Sequence, residues 1–339
     1  MTGLRAWRFA AWFAGGLGLW LAAIALAPLV GPERASFGEA WSAIWGATAI
    51  GPSFDIILLQ RLPRVLLGAL AGGALAVAGA AFQAVLRNPL AEPYTLGVAS
   101  SGALGALAVM SFGLSASFGP FSSVQIGALA GAGANVLLVS ALGRRRGAGG
   151  GNGMLLAGIA VSLISAALMM LVRYLSSPHR MVEMDRWLMG GLDVTGFDAV
   201  AGVVPLLLPG LAAVVLHARA IDQLLLGPAM AEGRGVDVDA CRRDVFLGGS
   251  LATAAVVAVT GPIGFVGLIV PHAVRRFAPR DHRVILPVSF FAGGAFLVLA
   301  DTVARIVAAP AEIPVGILTA AVGGPIFLVI LARGRASRE

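Results

Sequence analysis

The sequence predicts an all-α polytopic membrane protein with about ten transmembrane helices in one subunit. Two observations carry that expectation. Of 339 residues, 58% are hydrophobic and only 12% charged, with a mean hydropathy of +0.90; soluble domains carry roughly 25% charged residues. Apolar runs also recur along the whole chain, separated by short connections rich in arginine, glycine and proline. No polar stretch is long enough to hold a soluble catalytic domain, so residues 1–339 read as a single transmembrane domain.

All 24 basic residues are arginine. A P-loop needs a lysine that reaches the phosphates, so a standard Walker A site is excluded and any ATP-driven step requires a separate ATPase. Cys241 is the single cysteine, which excludes an intrachain disulfide and a cysteine-rich metal site. His179, His217, His272 and His282 are scattered and lack the spacing of a zinc helix. The net charge of +7 resides in short loops between apolar runs, a topology signal rather than a nucleic-acid surface.

The first apolar run, Phe9 to Val30, follows Arg8. It is long for a signal-peptide core, and Ala25-Leu-Ala27 is a weak cleavage site, so a retained span is preferred. Gly31 to Gln60 reads as a loop with a short amphipathic helix around Phe37–Trp45. A charged entry, Arg61-Leu-Pro-Arg64, leads into the second run, Val65 to Leu86. Gly68, Gly72, Ala76 and Ala80 recur every four residues there and leave one helix face almost without side chains, as close helix packing in lipid requires. Arg87-Asn88-Pro89 ends the run, and a polar elbow leads to a span from Tyr94 to about Leu114. Gly119-Pro120 marks a turn before the fourth span, Phe121 to Leu142.

Arg144–Arg146 and the glycine-rich Gly147–Gly153 connect to Met154–Val172. Without lysine or a preceding strand, the glycine run reads as a flexible linker rather than a phosphate cradle. The charged stretch Arg173–Asp198 precedes a sixth span, Val200–Leu216, and carries Trp187 as an interfacial anchor. His217–Asp244 reads either as a knob of two small helices or as an ordered loop. In the first reading Ala229–Glu232 forms one turn, and Asp237 or Asp239 caps a second short helix ending near Arg243. Val245–Thr260 follows, then the short Gly264–Val274, interrupted by Pro271 and too short for a comfortable span. Val284–Ala300 and Pro314–Leu331 are the last two, separated by a charged turn from Asp301 to Ile313.

Ten spans put both termini on one side, and that side collects 17 arginines against 7 on the other. The minority set is Arg34, Arg61, Arg64, Arg173, Arg180, Arg186 and Arg305. The positive-inside rule then places both termini and the 217–244 segment in the cytoplasm.

Several stretches resemble the FecCD-type permease family, the membrane subunits of type II ABC importers for iron-siderophores, haem and vitamin B12 (cobalamin). They are RLPR, Gln83 with RNPLAEP, the glycines of Gly97–Gly105, GPIGFVGLIVPHAVRR, DHRVILP, LADTVAR and PAEIPVGILTAAVGGPIF. The similarity runs from about Arg61 to Leu331. It implies the type II ABC importer permease fold in a bacterial inner membrane and a homodimer whose substrate passes along the two-fold axis. Two cytoplasmic ATPase subunits would bind ATP and Mg, with no cofactor in this chain, and a periplasmic binding protein would deliver the substrate.

On the same resemblance Arg61, Arg64 and Arg305 would meet acidic residues of the binding protein. The local chemistry agrees, since guanidinium pairs bidentately with carboxylate; anchoring of helix ends at lipid headgroups is the plainer reading. Asn88 and Leu90 match part of a cytoplasmic gate. Gly151 and Asn152 fall near its second position, where the family often carries small hydroxyl residues. The segment around residues 221–244, with Leu224, Gly227, Ala231, Gly235 and Val236, matches the helices that couple to the ATPase. Ser162, Ser165, Met169 and Thr319 lie on matched pathway helices, although ordinary packing also accounts for each of them. Trp187–Gly191 is expected to shape the outer mouth. An iron(III)-siderophore is the preferred substrate, ahead of cobalamin and haem. An ion-coupled secondary transporter would place an ionisable group inside a span; Asp301, Arg305 and Glu92 sit at apparent span ends, which argues against it. An intramembrane enzyme would need a catalytic constellation, and none is present.

Overall fold

The computed structural model describes residues 6–33, 35–45, 51–114, 116–118, 121–143 and 151–336. Arg5, Arg34, the turn at Gly119-Pro120, Arg144–Arg146 with the first part of the glycine run, and Arg338 lie outside the described residues. Helix α1 spans Ala6–Leu26 and α2 spans Phe37–Ile44. The α-helical turn α3 (Pro52–Phe54), a π-helical segment (Asp55–Arg61) and α4 (Leu62–Val85) run on without a break. Then come α5 (Val98–Phe112), α6 (Ser123–Gly143), α7 (Gly151–Tyr174), α8 (Pro178–Leu188) and α9 (Asp198–Leu216). Short helices α10 (Ala218–Leu225) and α11 (Pro228–Glu232) precede α12 (Val238–Thr260). Helices α13 (Val266–Phe277), α14 (His282–Val307) and α15 (Val315–Ala336) complete the chain. Among the described residues the one β feature is a pair of two-residue strands, Ser117–Phe118 against Phe121–Ser122.

Each of the ten apolar runs has become a helix. Among the described residues seven helices are long and apolar enough to cross a membrane, and Val98–Phe112 and Val315–Val329 are shorter apolar helices. At 12 residues α13 is shorter still, as the run interrupted by Pro271 anticipates.

Helix α4 is the centre of the bundle. It is buried along nearly its whole length and packs against α1, α9, α12, α13 and α14. Its small-residue face lies antiparallel against α14. A Cβ on Gly72 would stand 2.2 Å from the Gly293 carbonyl oxygen, so the two backbones touch where side chains ordinarily intervene. A second close approach occurs two turns further along α4, where Gly79 meets the Gly267 backbone of α13. Helix α1 closes over α14 through Phe13 against Phe291, with ring centroids 5.1 Å apart, and Trp20 against Phe290 and Phe291.

Three boundaries differ from the sequence expectation. Gly31–Gln60 is not loop throughout, because helix begins at Pro52 and runs into α4. Pro52 stands in the first turn, where the missing N–H costs nothing; Pro63 falls inside the continuous helix, and the Leu59 carbonyl four residues back accepts from the Gly196 N–H at 2.7 Å instead. The second small helix of the 217–244 segment does not end near Arg243. Asp237 caps it, its side chain accepting from the Ala240 N–H at 2.9 Å, but no glycine or proline follows before Val245, so the helix continues to Thr260. Asp301 and Arg305 are not in a turn either; α14 carries both and ends at Val307.

Because Gly72 has no room for a Cβ and Gly133 has nothing within 4 Å, the two should respond oppositely to one methyl group. Gly72→Ala is expected to lower the thermal midpoint of the detergent-solubilised protein, with an overpacking cost of about 1–3 kcal/mol or more. Gly133→Ala is expected to leave that midpoint within error in the same melt.

Candidate functional site

At one end of the bundle the start of α4, the end of α14 and three loops line a cavity of about 650 Å³. Its lining includes Glu33, Gln60, Arg61, Arg64, Asp193, Arg305 and Glu312. The antiparallel pairing of α4 with α14 brings Arg64 to Asp301, although 237 residues separate them in sequence. Arg64 Nε donates to both Asp301 oxygens at 3.1 and 2.9 Å, and its Nη2 donates to Oδ1 at 2.8 Å. Its Nη1 faces Glu312 at 2.6 Å and Asp193 at 3.0 Å. Arg305, one turn beyond Asp301, approaches the same carboxylate at 3.2 Å. Arg61 donates instead to the carbonyls of Pro28 and Glu33, at 3.2 and 2.6 Å.

The structure therefore joins Arg61, Arg64 and Arg305, as the sequence reading requires, but does not present them as free outward cations. They are 6%, 9% and 2% exposed. Such burial is tolerated because Asp301, itself 1% exposed, gives Arg64 and Arg305 a fixed counter-charge, while backbone carbonyls take up the Arg61 donors. Asp301 is the functional-site residue that sequence reasoning set aside as a span-end charge. Its spacing of four from Arg305 within LADTVAR was the available signal, since an i, i+4 pair shares one helix face. The cluster keeps these charges at span ends, in the first turn of α4 and the last two turns of α14. These are ionisable groups committed to one another, unlike a lone intramembrane carboxylate. Asp193 and Glu312 keep side-chain exposures of 53% and 41%, so they are the replaceable partners of Arg64.

At the opposite end, the elbow after α4 is held by backbone and side-chain bonds. Asn88 Oδ1 accepts from the Leu90 N–H at 2.9 Å, and Leu90 is 38% exposed. Gln83 donates to the Gly267 carbonyl at 3.0 Å and accepts from Arg275, tying α4 to α13. Thr95 donates to the Glu92 carbonyl at 2.8 Å, and Ser162 of α7 donates to that of Tyr94 at 3.2 Å. Part of Glu92 stays accessible, yet the protein packed around it pushes its carboxyl up to about 7. Gly151 and Asn152 begin α7.

Beside this elbow α10, α11 and the start of α12 form a protrusion. Ile221, Leu224 and Ala231 are fully buried within it, and Gly227 and Gly235 turn the chain at φ 114° and 82°, conformations that glycine adopts without steric cost. Val236 is partly buried against the main core. The knob is thus welded to the bundle by its own apolar face, with Met230 left 54% exposed.

The expected pathway residues are not all presented to an open surface. Ser165 is buried and lies 3.3 Å from Ser101 of α5, and Thr319 is buried and bonds the Gly316 carbonyl. Their hydroxyls satisfy neighbours within the protomer, as polar groups inside a helical bundle must. Ser162 and Met169 are half-buried, and Met170 is 69% exposed. The Gly190-Gly191 turn joins three elements: Gly191 donates to Thr260 of α12 at 2.8 Å, and Gly190 accepts from Gly316 of α15 at 3.0 Å.

A multi-pass helical bundle with a buried charge cluster at one end and a short-helix protrusion at the other defines a membrane permease. Residues 19–333 match the FecCD transport family, and the chain belongs to that family as the permease subunit of an ABC transporter. It is 43% identical to the cobalamin import system permease protein BtuC of Halobacterium salinarum, over 80% of this chain and 72% of that one. It is 36% identical to the hemin transport system permease protein HmuU of Yersinia pestis, over 95% and 97%. A solved metal-chelate type ABC transporter, in an inward-facing conformation, superposes with a TM-score of 0.81 at 27% identity, covering 96% of this chain and 99% of that one.

Neutralising Asp301 would strand two buried guanidiniums. Asp301→Asn is expected to destabilise by about 3–5 kcal/mol, seen as a large fall in thermal midpoint in detergent, whereas Arg186→Ala, at an exposed arginine, should change it little.

Proposed function

We propose that this chain is the membrane-spanning half of a type II importer that carries a bulky metal-chelate compound into the cell. The supporting observation is the near full-length likeness to permeases named for cobalamin and haemin and to a metal-chelate transporter. An iron(III)-siderophore complex is the preferred cargo, with cobalamin and haem as the alternatives within the same class. The permease works as a homodimer in the bacterial inner membrane, both termini in the cytoplasm, as the 17 to 7 division of arginines supports. The α10–α12 protrusion then faces inward and engages two ATPase subunits, which bind ATP and Mg. The chain acts throughout as one permease domain.

The arginine cavity faces outward and receives a carboxylate of the periplasmic binding protein. Arg64 Nη1 is the contact point, because its present partners Asp193 and Glu312 are exposed while Asp301 is fixed. Docking is therefore an exchange of carboxylates rather than the filling of an empty cationic site. Asn88 and Leu90, with Gly151 and Asn152, form the inner gate. Ser162 and Met169 are left as the partly accessible pathway positions.

Uptake in proteoliposomes distinguishes this reading from ion-coupled transport. With the ATPase, the binding protein and ATP present, one of labelled ferric siderophore, cobalamin or haem should accumulate, and none should with an ion gradient alone. Accumulation without the ATPase would overturn the proposal. Removing a competing carboxylate should also tighten docking. Glu312→Gln is expected to bind the binding protein about two- to five-fold more tightly, measured on immobilised permease.

A further inference from the structure

We infer that Asp222 and His282 form a pin that couples the α10–α12 protrusion to α14, making α14 the rod through which its displacement reaches the arginine cluster. The inference rests on the protrusion being the ATPase contact and goes beyond it by naming the joint.

Asp222 stands on α10, the first helix of the protrusion, and His282 is the first residue of α14. The Asp222 carboxylate accepts from the His282 backbone N–H at 3.0 and 3.2 Å and lies 2.6 Å from His282 Nδ1. A carboxylate of one helix thus caps another, taking up an N–H that has no intrahelical acceptor and facing the positive end of its dipole. The imidazole is 1% exposed, and its Nε2 has no hydrogen-bond partner among the described residues. Asp222 is therefore the hydrogen-bonding anchor of the ring. Apolar contact supports the joint from both sides, since Ile221 and Leu224 of α10 and Val284 and Ile285 of α14 belong to one core.

The other end of the rod is already defined. Helix α14 continues through Pro287 for 26 residues, about 39 Å at 1.5 Å per residue. It is keyed to α4 at Gly72 and Gly293 and carries Asp301 against Arg64 and Arg305. The helix runs unbroken from the pin to the cluster, and Pro287 is the one place between them where its N–H ladder is interrupted. A displacement of α10 that shifts the start of α14 must move Asp301, and with it the Arg64 contacts to Asp193 and Glu312.

The experiment uses the assembled permease–ATPase complex with spin labels at Thr195→Cys and Ala311→Cys. Both positions are exposed on segments at the cavity rim, and the native Cys241 is buried. The distance between the labels is read without nucleotide and after trapping with Mg-ATP and vanadate. In the otherwise unaltered chain trapping should change the distance. In Asp222→Asn, which removes the charge but keeps the shape, the change should be lost or at least halved. Stimulation of ATP hydrolysis by the binding protein should fall about five-fold, while the ATPase still co-purifies. Should Asp222→Asn fail to assemble, His282→Ala, which keeps the backbone cap, is read in its place. His282→Asn, which restores a donor near Nδ1, should recover the distance change that His282→Ala loses.

An undiminished change in the pin variants overturns the inference, and so does a cavity that trapping leaves unmoved in the starting complex. Met230→Glu separates this from the underlying reading. Loss of ATPase binding in that variant supports the protrusion as the contact, even when the pin variants behave normally. Retained ATPase binding refutes the protrusion as the contact, and the pin proposal with it.

Discussion

The backbone contact between α4 and α14 at Gly72 and Gly293 organises this molecule. In lipid the hydrophobic effect gives little reason for one apolar helix to prefer another, so association depends on how closely surfaces fit. Two helices without side chains at the crossing approach until their backbones touch. That approach fixes their register, and register determines which residues meet at the two ends. Arg64 reaches Asp301 because the crossing lies two turns after Arg64 along α4 and two turns before Asp301 along the antiparallel α14, which sets both at one level. The remaining spans pack around this pair, and α4 is consequently buried on every side.

Charge is concentrated where the register places it. The cluster of Arg61, Arg64, Asp301 and Arg305 would be costly without Asp301, because that carboxylate is the buried counter-charge of both Arg64 and Arg305. Its inner layer, Arg64 with Asp301, is buried and fixed; its outer layer, Asp193 and Glu312, is exposed and exchangeable. This division suits a surface that holds its shape alone yet still responds to an arriving carboxylate. At the opposite end the elbow follows directly from α4, and the protrusion is tied to α14 through Asp222. Both ends of the bundle therefore report to α4 and α14.

Most of the fold was legible along the chain, and the residues that were misread have a common explanation. Span positions followed from apolar run length, which the bilayer dictates. The stripe at Gly68, Gly72, Ala76 and Ala80 was readable because four-residue spacing marks one helix face. The helical start at Pro52 was not, since Asp55, Gln60 and Arg61 look like loop chemistry until their partners are known. Likewise Ser165 resembled a lining residue, because a hydroxyl on an apolar helix has the same sequence whether it faces a channel or a neighbouring serine.

By itself the sequence determined the class of protein, the positions and order of its apolar helices, the absence of a Walker A site, and the family motifs with their candidate residues. Those features depend on local composition and spacing, which the chain carries in every residue. Only the tertiary structure decided that Asp301 is the counter-ion of Arg64 and Arg305, that Asp222 caps α14, and that Asp237 starts a long helix rather than a short one. Each of these rests on groups far apart in the chain or on the neighbours a helix finds. Burial converts such proximity into a requirement, since a charge removed from water must be answered by whatever the fold sets beside it.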